Sequence, residues 1–179
     1  EGMVVFGGQC FSQSGGPAVY TPGPYSDLWA FDTEDHQWKQ IEPQQTFRAQ
    51  SLTPRWGHSA VWYGSGMLIF GGSTSLFSER PQGQRDLYDL FLDSLGTRAW
   101  YYKQIFPAAS STIPVLTGHC AVWSGKEMLV CGHGGDPPCG IFPLCSYDKQ
   151  TNAWTTLLQS TPVHGGELSA AWCGDQMLV

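Results

Sequence analysis

Charge is scarce in this chain. Asp, Glu, Lys and Arg make up only 13% of its 179 residues and sum to a formal charge of −6. Disordered chains show the opposite balance, with many charges and few aromatics. Here 13% of residues are aromatic, including 8 Trp. No cluster of Lys or Arg appears. Nucleic-acid binders draw much of their affinity from such a basic face, so nucleic acid is not an expected partner. Apolar runs of 18 residues are missing too, and no membrane span is expected. Few windows free of Gly and Pro are long enough for an ordinary helix, because 22 Gly and 12 Pro are spread along the chain. That leaves little room for ordinary helices and points to an all-β protein of short strands. No secretory leader is visible, and the first residues already read as strand.

The six Cys lack the close CxxC or CxxH pairs of a zinc site. Cys120, Cys131 and Cys173 fall in predicted strands, where a small apolar side chain is the simple reading. Cys139 and Cys145 flank a short Gly/Pro loop, so a disulfide between them is an expectation. It would imply an oxidising, extracellular setting. Without it a cytoplasmic setting is favoured.

What the chain does have is a repeat. All four Met share one context: Met3-Val4-Val5-Phe6-Gly7-Gly8, Met67-Leu68-Ile69-Phe70-Gly71-Gly72, Met128-Leu129-Val130-Cys131-Gly132-His133 and Met177-Leu178-Val179. Ahead of the last three stand Ala60-Val61-Trp62, Ala121-Val122-Trp123 and Ala170-Ala171-Trp172, each Trp five residues before its Met. Gly57-His58 and Gly118-His119 precede the first two of these, whereas Glu167-Leu168 precedes the third. Downstream come Asp27-Leu28-Trp29 with Trp38, Asp86-Leu87-Tyr88 with Trp100, and Ser146-Tyr147-Asp148 with Trp154. Six of the eight Trp lie on repeat positions.

One unit reads physically as a meander of four antiparallel strands. His58 to Tyr63 is a strand, and Gly64-Ser65-Gly66 a hairpin turn that needs positive φ. Met67 to Phe70 is an apolar strand buried on both faces. Gly71-Gly72 ends it where backbones pass closely. A long loop, a strand from Leu87 to Leu92 and an outer strand holding Trp100 complete the unit. The units run over residues 1–57, 58–118 and 119–166, with the start of a fourth at 167–179.

The Gly-His-Ser/Cys-Ala-Val-Trp segment, the apolar strand with its Gly pair, and the Asp-Leu-aromatic with a spaced Trp resemble the kelch repeat over essentially the whole chain. The resemblance implies a β-propeller, with four-stranded blades around a channel. Gly7, Gly8, Gly71 and Gly72 would end second strands, and Trp38, Trp62, Trp100, Trp123, Trp154 and Trp172 would pack between blades. The third unit departs from the pattern at Gly132-His133-Gly134-Gly135, where a bulge or shifted turn is expected. Three units cannot close a ring, so the remaining blades are expected from the same longer chain, or from a second copy that completes it.

Meander turns alternate between the two faces of a propeller. The second-to-third loops (9–26, 73–85, 136–144) and the fourth-to-first connections (42–55, 106–117, 159–166) are long, and all are expected on one face. Long loops on a rigid scaffold carry binding. Aromatic and Arg side chains are the usual anchors of protein interfaces. Phe77, Arg80, Arg85, Arg48, Trp56 and Tyr25 are therefore the candidate contacts for a protein or peptide partner. Arg55 is read as structural, standing just before a Gly-His strand. His58 and His119 are read the same way, as repeat-equivalent strand-start residues and not metal ligands. No catalytic residue, metal or cofactor is expected. No Gly-x-Ser-x-Gly elbow or phosphate-binding Gly loop appears, which favours a non-catalytic scaffold. The resemblance leaves one alternative, a carbohydrate-acting or carbohydrate-binding propeller of the oxidase or mutarotase kind.

Overall fold

The structure, a computed structural model, describes residues 2–10, 23–45, 52–75, 83–93, 99–108, 113–132, 142–163 and 168–179. Every regular element among them is a strand. The first sheet holds β1 (Gly2–Cys10), β2 (Gly23–Asp32) and β3 (Gln37–Ile41) in that order. After the two-residue β4 (Gln44–Gln45) comes the second sheet: β5 (Ser59–Trp62), β6 (Gly66–Phe70), β7 (Leu87–Leu92) and β8 (Trp100–Ile105). The third has β9 (Cys120–Trp123), β10 (Glu127–Cys131), β11 (Leu144–Asp148) and β12 (Ala153–Leu158). β13 (Ala171–Cys173) and β14 (Gln176–Leu178) form a last hairpin.

The inner strands share one edge. β5 lies against β9, and β9 against β13. Gly118 N donates to Gly57 O at 2.8 Å, and Leu168 N to Gly118 O at 3.2 Å. The second link uses Leu168, one residue beyond the position matching Gly118. The sheets fan outward from this edge, as blades do.

Strand alternation sends each blade's side chains into two seams. Met67, Ile69, Tyr88, Leu90 and Tyr102 of the second sheet meet Phe6, Leu28 and Leu52 in the first seam. Leu68, Phe70 and Leu87 meet Leu116, Met128, Val130, Tyr147 and Trp154 in the second. That is why Gly66–Phe70 is buried throughout while Ser59–Trp62 alternates. Each large apolar side chain so buried contributes about 1.5–3 kcal/mol.

Backbone bonds stitch the seams at the Gly pairs. Gly8 N donates to Arg55 O at 2.9 Å, and Gly72 N to Leu116 O at 3.0 Å. Gly71 and Gly72 have φ of 66° and 84°. A Cβ on Gly71 would sit 2.8 Å from Leu116 O, and one on Gly72 would sit 2.7 Å from Trp56 O. Only glycine meets both demands.

The structure corrects three expectations. Trp38 pairs with Phe31 and Trp154 with Tyr147, but the matching place opposite Leu90 holds Tyr102. Trp100 pairs with Leu92 instead, because the turn before it spans residues 93–99, longer than 33–36 or 149–152. The connection 42–55 is not wholly a face loop: β4 pairs in parallel with β8 and covers the outer edge of the second sheet. Cys145 is a free thiol, since its side chain turns into the second seam and donates to Thr156 Oγ1 at 3.9 Å; Cys139 lies outside the described residues. The expected irregularity at 132–135 also falls largely outside them. β10 pairs without a shift through Cys131, and the bulge of that sheet comes between Leu144 and Cys145.

Candidate functional site

The end of the sheets that carries the long connections is organised around one ion pair. Arg55 is fully buried, just before the Gly57-His58 strand start. Its Nη1 donates to Asp86 Oδ1 at 2.8 Å and its Nη2 to Asp86 Oδ2 at 2.7 Å. Nη1 also reaches Gly71 O at 2.9 Å, Nη2 reaches Thr53 Oγ1 at 2.6 Å, and Nε reaches Thr53 O at 3.2 Å. Its guanidinium stacks over Tyr88, 5.1 Å from the ring centre. A two-pronged pair of this kind has nearly all its donors satisfied, and that is what makes burial of the charge tolerable. Burial, with the nearby Asp86 charge, pushes the Tyr88 hydroxyl up to about 12.

The candidate contacts Tyr25, Trp56 and Arg85 gather around this hub. Tyr25 O accepts from Arg55 N at 3.0 Å. Trp56 follows Arg55, is half-buried, and donates from Nε1 to Ser75 O at 2.7 Å. Arg85 precedes Asp86 and is exposed. Phe77, Arg80 and Arg48 lie outside the described residues. The third sheet builds the same place without charge: Leu116 stands where Arg55 does, and Pro143 where Asp86 does. Gln84 and Leu116 form the corresponding bridge.

Sequence reasoning missed a polar cluster at the short-turn end of the second seam. Asp89 is buried in the middle of β7. Tyr63 Oη donates to its Oδ1 at 2.6 Å, and Lys149 Nζ donates to its Oδ2 at 2.9 Å across the seam. Lys103 Nζ lies 3.5 Å from the same oxygen. Lys149 also sits 4.1 Å from the Tyr63 ring centre, and that ring packs 5.9 Å from the ring of Trp123. Burial, reinforced by Asp89, holds the Tyr63 hydroxyl well above its usual range. The legible signal was one acid inside an otherwise apolar strand, Leu87-Tyr88-Asp89-Leu90.

The same end of the first seam is open. A cleft of about 560 Å³ is lined there by Val4, Ala30, Phe31, Met67, Trp62 and Trp100, with Asp32 and Lys39 among its polar residues. The Trp62 and Trp100 rings meet edge to face at 6.3 Å. Lys39 Nζ bonds Asp35 at 2.8 Å and Asp32 at 3.3 Å.

The two strand-start histidines serve the seams. His119 Nε2 lies 2.9 Å from Ser59 Oγ, and the His58 and His119 rings pack edge-on against Phe6 and Phe70. Burial lowers His58 to about 4, with Arg55 adding to it, and lowers His119 to about 3. Among the described residues no three His, Cys, Asp or Glu side chains are grouped to hold a metal ion. No helix among them is long and apolar enough to cross a membrane.

Radiating meanders, a shared inner edge, Gly-paired second strands and a seam-stitching residue before each Gly-His define the blades of a kelch-type propeller. Family comparison agrees: the model of the KLHDC2/KLHL20/DRC7 Kelch-repeats domain matches residues 1–179. The chain belongs to this kelch-repeat family. No match is found among curated proteins.

Proposed function

We propose that this kelch domain is a non-catalytic scaffold that binds a protein or peptide at its long-connection end. The observation that carries this reading is the buried Arg55–Asp86 hub, which holds Tyr25, Trp56 and the exposed Arg85 on a rigid base. Arg48, Phe77 and Arg80, which lie outside the described residues, are kept from the sequence as the further contacts of this reading. Rigid support beneath aromatic and Arg anchors lowers the ordering cost of binding. Proximity labelling of the wild type and of Arg85→Glu and Phe77→Ala variants tests it. Folded variants should lose a shared set of neighbours, whereas Lys126→Glu at the opposite end should keep them. The reverse pattern would place binding at the short turns.

Further blades, in the same longer polypeptide or in a second copy, complete the ring. Met3, Val5 and Trp38 on the first sheet are 51%, 41% and 48% exposed, and Leu178 and Val179 at the other end 53% and 51%. The equivalent Met67 and Met128 are buried in seams. Exposed apolar faces of this kind call for a covering neighbour.

A further inference from the structure

The third blade departs from the second at repeat positions that meet in space. Ser59 and Phe70 stand directly opposite each other on β5 and β6. The next unit's His119 serves both: its Nε2 lies 2.9 Å from Ser59 Oγ, and its ring packs edge-on against Phe70. On β9 and β10 the same opposed pair is Cys120 and Cys131. Leu168 holds the place of His119 in the fourth unit. The hydroxyl, the phenyl ring and the imidazole have become two thiols and an aliphatic side chain that forms no hydrogen bond.

Both thiols are free and buried, Cys120 at 4% and Cys131 at 3% exposure. Directly opposed residues of an antiparallel pair project to the same face. Ser124 N donates to Glu127 O at 2.9 Å across the turn, and pairing runs without a shift from Trp123–Met128 to Cys120–Cys131. Counting in twos from that bond makes Cys120–Cys131 a hydrogen-bonded pair, whose Cα atoms lie about 5.5 Å apart. Disulfides commonly span that separation. Cys120 Sγ donates to Cys131 O at 3.4 Å, and Cys131 Sγ lies 3.7 Å from Thr161 Oγ1. A turn of the two side chains exchanges these long contacts for a covalent bond.

We propose that Cys120 and Cys131 form a reversible cross-strand disulfide, with a low-molecular-weight disulfide such as glutathione disulfide as the oxidant. The thiolate of one cysteine attacks a sulfur of glutathione disulfide and expels one glutathione thiolate. The thiolate of the other then attacks the protein sulfur of that mixed disulfide, closes the Cys120–Cys131 bond and expels the second glutathione. The two protons lost by the protein end on the two glutathione thiols. Leu168 cannot repeat the His119–Ser59 bond, so the seam opens over the thiols without breaking one. The product closes a loop over residues 120–131 and ties the inner hairpin on which β13 packs. Burial, with Cys131 beside it, pushes the Cys120 thiol up to about 11. Attack needs the thiolate, so the exchange quickens as pH rises toward that value.

The test incubates the folded 179-residue protein with glutathione disulfide, then unfolds it in an alkylating agent and maps its peptides by mass. A peptide joining Cys120 to Cys131 is expected, forming faster at pH 8.5 than at pH 7. The urea midpoint should rise by about 1 M, the scale expected for a closed loop of this length. Dithiothreitol should restore the original value. Cys120→Ser and Cys131→Ser should each abolish the cross-link and the shift, and the first of these places on β9 the residue that β5 already accommodates. Cys145→Ser and Cys173→Ser should keep both. Cys120 and Cys131 recovered fully alkylated would overturn the site. Glutathione held on either without a cross-link, or a cross-link to Cys145, would overturn the pairing. A cross-link formed only in urea would overturn it as well, because the folded hairpin would then hold the thiols apart. A bond that leaves the midpoint unchanged or lowers it would overturn the tie between β9 and β10.

Discussion

The two seams flanking the second blade use the same repeat positions for different ends. In the second seam, Asp89 ties Tyr63, Lys103 and Lys149 together, and Trp154 fills the space between Tyr147 and Phe70, with ring centres 5.3 and 4.6 Å away. In the first seam, Ala30 stands for Asp89, Tyr102 for Trp154, and a cleft opens under Trp62 and Trp100. At the long-connection end the contrast reverses. The first seam there adjoins the charged Arg55–Asp86 hub, whereas at the second the buried Leu116 and Pro143 take the places of Arg55 and Asp86. A repeat position specifies backbone geometry and leaves side-chain chemistry free. Polar and apolar solutions therefore trade places from seam to seam, provided partners change together.

The comparison breaks most clearly at its largest aromatic. Trp154→Ala should cost about 3–5 kcal/mol in urea unfolding, because a packed ring leaves a cavity. Trp38→Ala, the same repeat position but half-exposed, should cost about 0.5 kcal/mol or less. Equal losses would mean that the two faces are equally covered in solution.

Arg55→Ala comes next, at about 3 kcal/mol, since it strands the Asp86 carboxylate. The pair Arg55→Leu with Asp86→Ala should recover much of that loss, as it approximates the third blade's arrangement. A double variant no more stable than Arg55→Ala would deny that the two positions are coupled.

Acid should strain both seams. His58 and His119 are lowered by burial to about 4 and about 3, against 6.5 for an ordinary histidine. Above pH 6.5 both are neutral folded or unfolded, and they contribute no pH dependence. As pH falls below 6.5 the unfolded chain gains protons that the folded one refuses. Stability should then drop by up to about 1.4 kcal/mol per pH unit for each histidine, until its folded pKa is reached. Denaturant midpoints at pH 7, 5.5 and 4.5 measure this, and a flat profile would show the rings to be protonated in place. His119→Gln should halve the slope.

Within the second seam the mildest change is Asp89→Asn, at about 1–2 kcal/mol, since it keeps an acceptor for Tyr63 but loses the charge facing two lysines. Its cost should shrink in high salt, whereas the cost of Trp154→Ala should not. A salt-independent loss would remove the ionic account of the second seam.

Much of this architecture could be read from spacing. The Met-Gly-Gly and Ala-Val-Trp segments located β5, β6, β9 and β10, because a two-face-buried strand and a positive-φ turn leave clear residue patterns. Arg55 was legible as structural from its place before Gly57-His58. Trp100 misled, because a longer turn moved it two residues out of register, and register lies beyond what spacing records. Cys145 misled as well: its closeness to Cys139 in sequence says nothing about which face of β11 carries the thiol. Of the candidate binding residues, Tyr25, Trp56 and Arg85 come together around a hub whose acid partner, Asp86, lies 31 residues away in the chain.

Sequence alone determined the repeat, the strand order within each blade and the glycines that end second strands, because these depend on local φ and on alternation along one strand. Tertiary structure alone decided which repeat position holds a carboxylate facing a lysine sixty residues on, and which faces a methyl group across an open cleft. Seam chemistry depends on two strands from different units meeting, and no pattern within one strand carries that information.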